Sequence, residues 1–437
     1  MTATSAKSGD RAEKFLVLPI IVLVMAQMGT SGDNGAVSLA TSALTNQLGA
    51  SMSDIQLVNM VYSLMAGALM VAGGLVGTVI GWKRNFRIGA VLCAAEEFLM
   101  ALSPNISVFI WGGRVLTGFG ASFMIPSVLG LVPRIYQGKN RVQAFGCIGA
   151  ATGLSTLFPI ILGAVMDAAG FRVTFGILGA YFLLVFGLSF LLPAIPDDEQ
   201  KAKFDAIGTV LAALGLFLLL MGLSRISAWG LVEPFAECPF TVFGISPCIP
   251  LIIAGLVILV IMIKLERGIE ERNGSALLPQ SFLKNKQVLA GLMASAIIFF
   301  YMMSLGAVVM MPYLQLVCGW SATLVGLLSV LSGIPMFLIS MGIPRFMPNA
   351  SPRRVVQLGY VLMIVALVPL YFSITPTGVN SALMVVGYFM IGVAAGVASS
   401  HANNVVALVL NERDAAQSGG IQTTMRNVGQ AIGVAAL

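Results

Sequence analysis

Among the ionisable side chains inside long apolar runs are Asp33, the adjacent Glu96 and Glu97, and Arg114. An ionised group at the centre of a membrane helix costs about 2.5–3.5 kcal/mol on insertion scales, so such residues usually face a bundle interior and mark an ion or substrate route. The chemistry they suit is reversible proton binding. Burial disfavours an ionised carboxyl and a nearby guanidinium favours it, so a carboxyl moved between the two settings loads and releases a proton. Asp33 leads this set because Gly29, Gly32 and Gly35 leave room beside it. Its structural alternative is a hydrogen bond to a neighbouring helix or a place high enough to reach the headgroups, and that of Arg114 is a donor tying its helix to backbone carbonyls of the first span. Glu96 and Glu97 point about 100° apart on a helix, so one is expected to face protein and the other a polar crevice. A second proton site and a structural partner for a basic residue both stay open for this pair. Asn34, Ser38, Gln315, His401, Asn403, Asn404 and Arg426 are the other polar residues of the apolar runs taken as substrate-cavity candidates. For His401, Asn403, Asn404 and Gln315 interhelical glue, worth about 0.6–2 kcal/mol each, is the commoner role, and Arg426 could instead balance one of the acids.

The elements that must position these groups are membrane helices. The 437 residues are 58% hydrophobic and 10% charged, with a mean hydropathy of +0.94, against roughly 25% charged in soluble domains. A crossing takes about 20 apolar residues, read as helix because a lone segment satisfies its backbone in lipid only that way. Thirteen such runs lie near 15–43, 55–80, 86–103, 106–133, 142–166, 171–193, 205–224, 246–264, 286–312, 321–344, 354–374, 379–409 and 415–437. The first is too long, and too closely followed by others, for a cleaved signal peptide. No nucleophile elbow, phosphate loop or zinc spacing is present, and five scattered cysteines with one histidine make no metal cluster. An enzyme, a metal site, an organic cofactor and a nucleic-acid partner are therefore not expected.

Basic residues set the orientation. With the N-terminus in the cytoplasm, twenty of the 24 Lys and Arg fall in cytoplasmic segments, while Arg172 and Arg225 lie outside and Arg114 and Arg426 lie within spans. The expectation is a multi-pass protein of the cell membrane, monomeric, with lipid, protons and a small solute as its partners. An internal repeat is visible. Gly113, Gly118, Gln143 and Gly146 recur 274 positions later as Gly387, Gly392, Gln417 and Gly420, and RNFRIG from Arg84 recurs after 270 positions as RVVQLG from Arg354. Two homologous halves explain this. The divisions are a cytoplasmic tail at 1–14, a first half at 15–194, an inserted pair of spans at 195–266, a cytoplasmic linker at 267–285 and a second half at 286–437. Cys238 and Cys248 share the external loop of the insert, either as a disulfide or as two thiols.

Four stretches carry a family likeness. They are GRVLTGFGAS from Gly113, the Asp33 segment with Val37, Ser38 and Ala40, MPYLQLVCGWSATLVGLL from Met311, and GGIQTTMRNVGQAIGVAAL from Gly419. Together with the repeat and the two-span insert they resemble the major facilitator superfamily, and within it the 14-helix drug:proton antiporters. The resemblance implies an all-α fold of two six-helix halves rocking about a central site, and proton-coupled export of small amphipathic or cationic compounds. It assigns a proton-transfer role to the arginine matched by Arg114. The gate loop of that family is matched at Gly74, Gly81, Lys83 and Arg84, with Thr78 and Val79 in place of its Asp-Arg. Of its antiport motif only Pro159 and Gly163 remain, and the fourteenth helix is expected to be missing after Leu437. These departures keep a facilitator, a proton symporter and a non-transporting sensor as alternatives.

Overall fold

The computed structural model describes residues 15–137, 154–193, 206–236, 238–273, 284–347, 350–375, 378–407 and 412–435, with isolated positions between 138 and 153; for 401–407 and 412–420 it describes the backbone alone. The described chain is mostly helical, with a two-stranded ribbon, Ile374–Thr375 against Gly378–Val379, and an irregular stretch at 230–236 and 238–247 that holds one bridge between Val242 and Ile245. Its helices are α1 (Val17–Leu39), α2 (Thr41–Leu48), α3 (Met52–Ile80), α4 (Trp82–Ala101) and α5 (Val108–Ile135). Then come α6 (Phe158–Leu188), α7 (Ala206–Ser224), α8 (Cys248–Asn273), α9 (Lys286–Met303) and α10 (Ala322–Phe346). The last three are α11 (Pro352–Ser373), α12 (Ser381–Ala407) and α13 (Glu412–Ala435). Their exposed faces are apolar, as Ile253, Leu256, Val257 and Val260 of α8 illustrate. Lipid is the solvent such a face requires.

One span differs from its expected bounds. The first helix stops at Leu39, and the chain turns at Ala40 into the short α2, so Ser42 and Leu44 lie beyond the break. The break expected between the runs at 142–166 and 171–193 is a tight corner at Gly170. Residues 158–188 comprise two helices that meet at Gly170, whose φ of 82° is a conformation open to glycine at little cost. That corner keeps Asp167 at its tip.

The repeat has a structural counterpart in the close approaches made by matched glycines. A Cβ on Gly89 of α4 would lie 2.7 Å from the Met124 nitrogen of α5, and one on Gly359 of α11 would lie 2.5 Å from the Ala398 nitrogen of α12. These two contacts are offset by the same 270 and 274 positions as the sequence repeat. Gly113 against Met100 and Gly387 against Leu370 repeat the relation. Small residues let the helices pack backbone to backbone, which in lipid supplies the contact energy that burial of apolar surface does not.

The first half is held by α3, α4 and α5 packed together, with α6 closing on α1 and α4. The second half packs α12 between α10 and α11, with α9 against α12 and α13. Between the halves, α13 lies along α3 and α10 along α6, while the inserted pair α7 and α8 packs outside α3 and α13. The cysteines of the insert are not joined: Cys238 and Cys248 are free thiols. The Cys238 thiol turns to the Phe240 carbonyl, 3.1 Å away, and Cys248 is buried at the start of α8, so each already has its own local setting.

Candidate functional site

Helical geometry divides α1 into two faces. Ser31 and Gly35 lie one turn apart and face the second half, whereas Asp33 is about 200° from each and points into the first half. Asp33 is 1% exposed and Arg114 is fully buried, the largest such side chain among the described residues. The two form an ion pair, with Arg114 Nη1 donating to Asp33 Oδ2 at 2.8 Å and to Oδ1 at 3.2 Å. Arg114 Nη2 donates to Asn34 Oδ1 at 3.1 Å, and Nε donates to the Val58 carbonyl of α3 at 3.1 Å. The Tyr62 ring lies 5.1 Å from the guanidinium carbon. Arg114 thus holds the Asp33 carboxylate and ties α5 to α3, the carbonyl it takes belonging to the second span and not, as expected, to the first.

The local fold aims this arginine. Val108–Arg114 is wound as a π-helical turn before α5 resumes regular winding at Val115. Such a turn inserts a residue's worth of rotation, and π turns recur at functional sites.

Glu96 and Glu97 correct the expectation that they diverge. Both are fully buried, and one oxygen each of Asp33, Glu96 and Glu97 lie within 4.8 Å of one another. The 100° between their Cα–Cβ bonds is spanned by glutamate side chains long enough to curl toward a common point from either side of α4. None of their four carboxyl oxygens has a hydrogen-bond partner. Arg426 lies in the other half, over the Phe299 ring at 5.2 Å.

On its opposite face, α1 borders a cavity of about 240 Å³ between the halves. Its wall carries the hydroxyls of Ser31, Ser155, Ser329 and Ser332 and the side chains of Met302 and Met336, with Gly35, Gly333, Gly392 and Pro159 giving it room. Sequence reasoning passed over these serines. Their signal was modest, four single hydroxyls in apolar helices, each able to satisfy itself on a carbonyl one turn back as Ser329 does on Val325. Methionine provides an adaptable apolar surface beside them.

Several sequence candidates fall elsewhere. Asn34 belongs to the ion-pair site. Ser38 and Gln315 meet where the halves join: Gln315 Nε2 donates to the Ser38 carbonyl at 2.9 Å, and Gln315 Oε1 accepts from the Ser42 N–H at 3.1 Å. The side chains of His401, Asn403, Asn404 and Thr78 lie outside the described residues. Near the gate-like loop, Gly81 has a φ of 93°, Gly74 packs beside Pro126, and Arg84 is exposed. Lys83 donates to the Leu192 and Pro193 carbonyls at 3.0 and 2.8 Å.

The junction of the halves opposite the basic loops is latched by Asp167. Its carboxylate accepts from the Ala322 N–H at 3.0 Å, from the Thr323 N–H at 2.9 Å and from the Thr323 hydroxyl at 2.5 Å. It thereby caps the first turn of α10, where unpaired N–H groups and the helix dipole favour an anion. Partial burial pushes the Asp167 carboxyl up, but the bonds from Thr323, Ala322 and Ser321 together outweigh it and hold it below its ordinary value. Gly163 and Gly326 allow the same approach. A Cβ on Gly326 would stand 2.4 Å from the Pro159 carbonyl oxygen, and one on Gly163 would stand 2.7 Å from that of Ala322. Pro159 and Gly163, the two remnants of the antiport motif, thus lie at the cavity wall and the latch.

Comparison with known proteins agrees with this geometry. The family described as Major Facilitator Superfamily matches residues 23–434. The probable actinorhodin transporter of Streptomyces coelicolor is 28% identical over 426 residues, covering 95% of this chain and 71% of the relative. The puromycin resistance protein of Streptomyces alboniger is 23% identical over 429 residues, covering 96% and 80%. Among solved structures, a peptide transporter in complex with sulfate superposes with a TM-score of 0.67 at 16% identity, over 95% of this chain and 87% of that one. That likeness concerns the fold.

Proposed function

The chain belongs to the major facilitator superfamily, a transporter and not an enzyme, and on that premise we propose that it exports small amphipathic or cationic compounds in exchange for protons. The observation that carries this reading is the buried pair of Asp33 and Arg114. A charge pair sealed in a membrane bundle is costly to keep, and its retention is accounted for if Asp33 must take and give up a proton in each cycle. The names of the relatives, a probable actinorhodin transporter and a puromycin resistance protein, favour export of drug-like compounds. The cell membrane, with a cytoplasmic N-terminus, is the location that the distribution of Lys and Arg favours.

In this mechanism α1 is the coupling element. One face of it meets the cavity through Ser31 and Gly35, and the other meets Arg114 through Asp33. A compound entering the cavity shifts or rotates α1 against the halves, and the shift alters how well Arg114 holds the ionised carboxylate. Proton and cargo therefore compete through a helix rather than by sharing one pocket. The face latched by Asp167 is the external one in this orientation, so the conformation described is closed to the outside. Release to the outside requires Asp167 to leave α10, and Gln315 to leave Ser38 and Ser42.

The test uses purified full-length chain in proteoliposomes carrying an internal pH dye, with puromycin and actinorhodin as probes. An imposed proton gradient should drive probe movement, and the probe should in turn drive a proton flux. Probe movement that neither responds to the gradient nor moves protons would replace this reading by facilitated diffusion.

A further inference from the structure

The cluster around Asp33 holds three carboxyl groups and one guanidinium. Arg114 spends its donors on Asp33, Asn34 and the Val58 carbonyl, so it neutralises one carboxylate. Glu96 and Glu97 are fully buried, their four oxygens have no hydrogen-bond partner, and both reach to within 4.8 Å of Asp33.

The other groups packed around them supply no second cation among the described residues. From α3 comes Tyr62, from α4 itself Cys93, and from α5 Thr117 beside Arg114. On α6 the Tyr181 hydroxyl donates to the Met25 carbonyl, and the Arg172 guanidinium is exposed and donates to the Ala101 carbonyl, outside the buried cluster. Three ionised carboxylates would thus leave two uncompensated negative charges in a sealed space, at several kcal/mol of desolvation each. Carboxyl groups that share a site avoid this by keeping protons.

We propose that Glu96 and Glu97 hold two protons at rest and serve Asp33 as an internal proton reserve, with one of them becoming the alternative partner of Arg114. When the hold of Arg114 on Asp33 weakens, the O–H bond of one glutamic acid breaks and a new O–H bond forms on the Asp33 carboxylate. The glutamate left behind is ionised and takes the guanidinium. One proton changes owner, the net charge of the cluster is unchanged, and no outside ion is needed. A gap of at most 4.8 Å is crossed by a side-chain turn or by one bridging water. The adjacency of the two acids then has a purpose, because one keeps its proton while the other ionises. This inference rests on the coupling reading for its use in the cycle, although the resting protons themselves are measurable without transport.

Infrared spectroscopy of the purified full chain in lipid at neutral pH reads the carbonyl stretch of protonated carboxylic acids. Glu96→Gln and Glu97→Gln should each lower that band by one carboxyl group, and the double variant by two. Asp33→Asn deprives Arg114 of its anion, so one glutamic acid should ionise and the band should again fall by one carboxyl group. Circular dichroism and size-exclusion behaviour confirm folding, which the near-isosteric variants should preserve. A band unchanged in the double variant would remove the resting protons. A band unchanged in Asp33→Asn would remove the exchange of partners. Neither result would touch the proton flux measured in proteoliposomes, so this inference and the coupling reading fail separately.

Discussion

Asp167→Ala should open the latched face. The substitution deletes three acceptor contacts, from the Ala322 N–H, the Thr323 N–H and the Thr323 hydroxyl, and removes the anion at the first turn of α10. Loss of a cap costs about 0.5–2 kcal/mol, typically about 1, and the lower end is apt because this carboxylate is exposed and screened. Since about 1.4 kcal/mol is tenfold in a population ratio, the outward-open fraction should rise about two- to threefold, within a range of about 2- to 30-fold. A cysteine at Ser332, on the cavity wall, reports this through its rate of reaction with a membrane-impermeant maleimide added outside, in a background with the native cysteines replaced. The effect has a pH signature. Asp167 is held below its ordinary value in the latched state, so its contribution is full above the ordinary carboxylate range and is lost as pH falls through the depressed value. The parent should therefore label faster in acid, while Asp167→Ala should label fast at every pH. A rate unchanged in Asp167→Ala, or equal acid acceleration in parent and variant, would refute the latch.

Two further outcomes are expected. Arg114→Leu strands Asp33 in a buried site and should cost about 3–5 kcal/mol of stability, read as earlier thermal unfolding in detergent; Arg114→Lys keeps the charge but loses the fork that reaches Asp33, Asn34 and Val58 together, so a smaller loss is expected. Because Cys238 is partly exposed and unbridged, impermeant maleimide should label it on intact cells without prior reduction; labelling only after the membrane is opened would invert the orientation.

The helices, the repeat and the charged interior were legible because each rests on strong local physics. Long apolar runs have one solution in lipid, and a glycine matched at a fixed offset marks a backbone approach that recurs, as Gly89 and Gly359 do against α5 and α12. Asp33 and Arg114 stood out by cost alone. Which groups meet was a harder question. The convergence of Glu96 and Glu97 depends on glutamate rotamers, which a helical projection ignores. Gln315 acts as glue between helices and not as a cavity contact, because the short α2 after the break at Ala40 brings Ser42 to it. The serines of the cavity and the Asp167 cap depend on how the halves dock, a relation between residues more than 150 positions apart that no local pattern encodes.

The central claim is that Asp33 carries the coupled proton, and the most direct measurement is substrate-driven proton flux by Asp33→Asn in proteoliposomes, with puromycin or actinorhodin as the probe that the parent chain moves. Asn keeps the volume and ends titration, so the variant should insert and bind the probe while the proton flux disappears. Glu96→Gln and Glu97→Gln, measured alongside, should slow the flux but retain it. Full pH-dependent flux in Asp33→Asn, together with its loss in either glutamate variant, would move the proton to α4 and contradict the account.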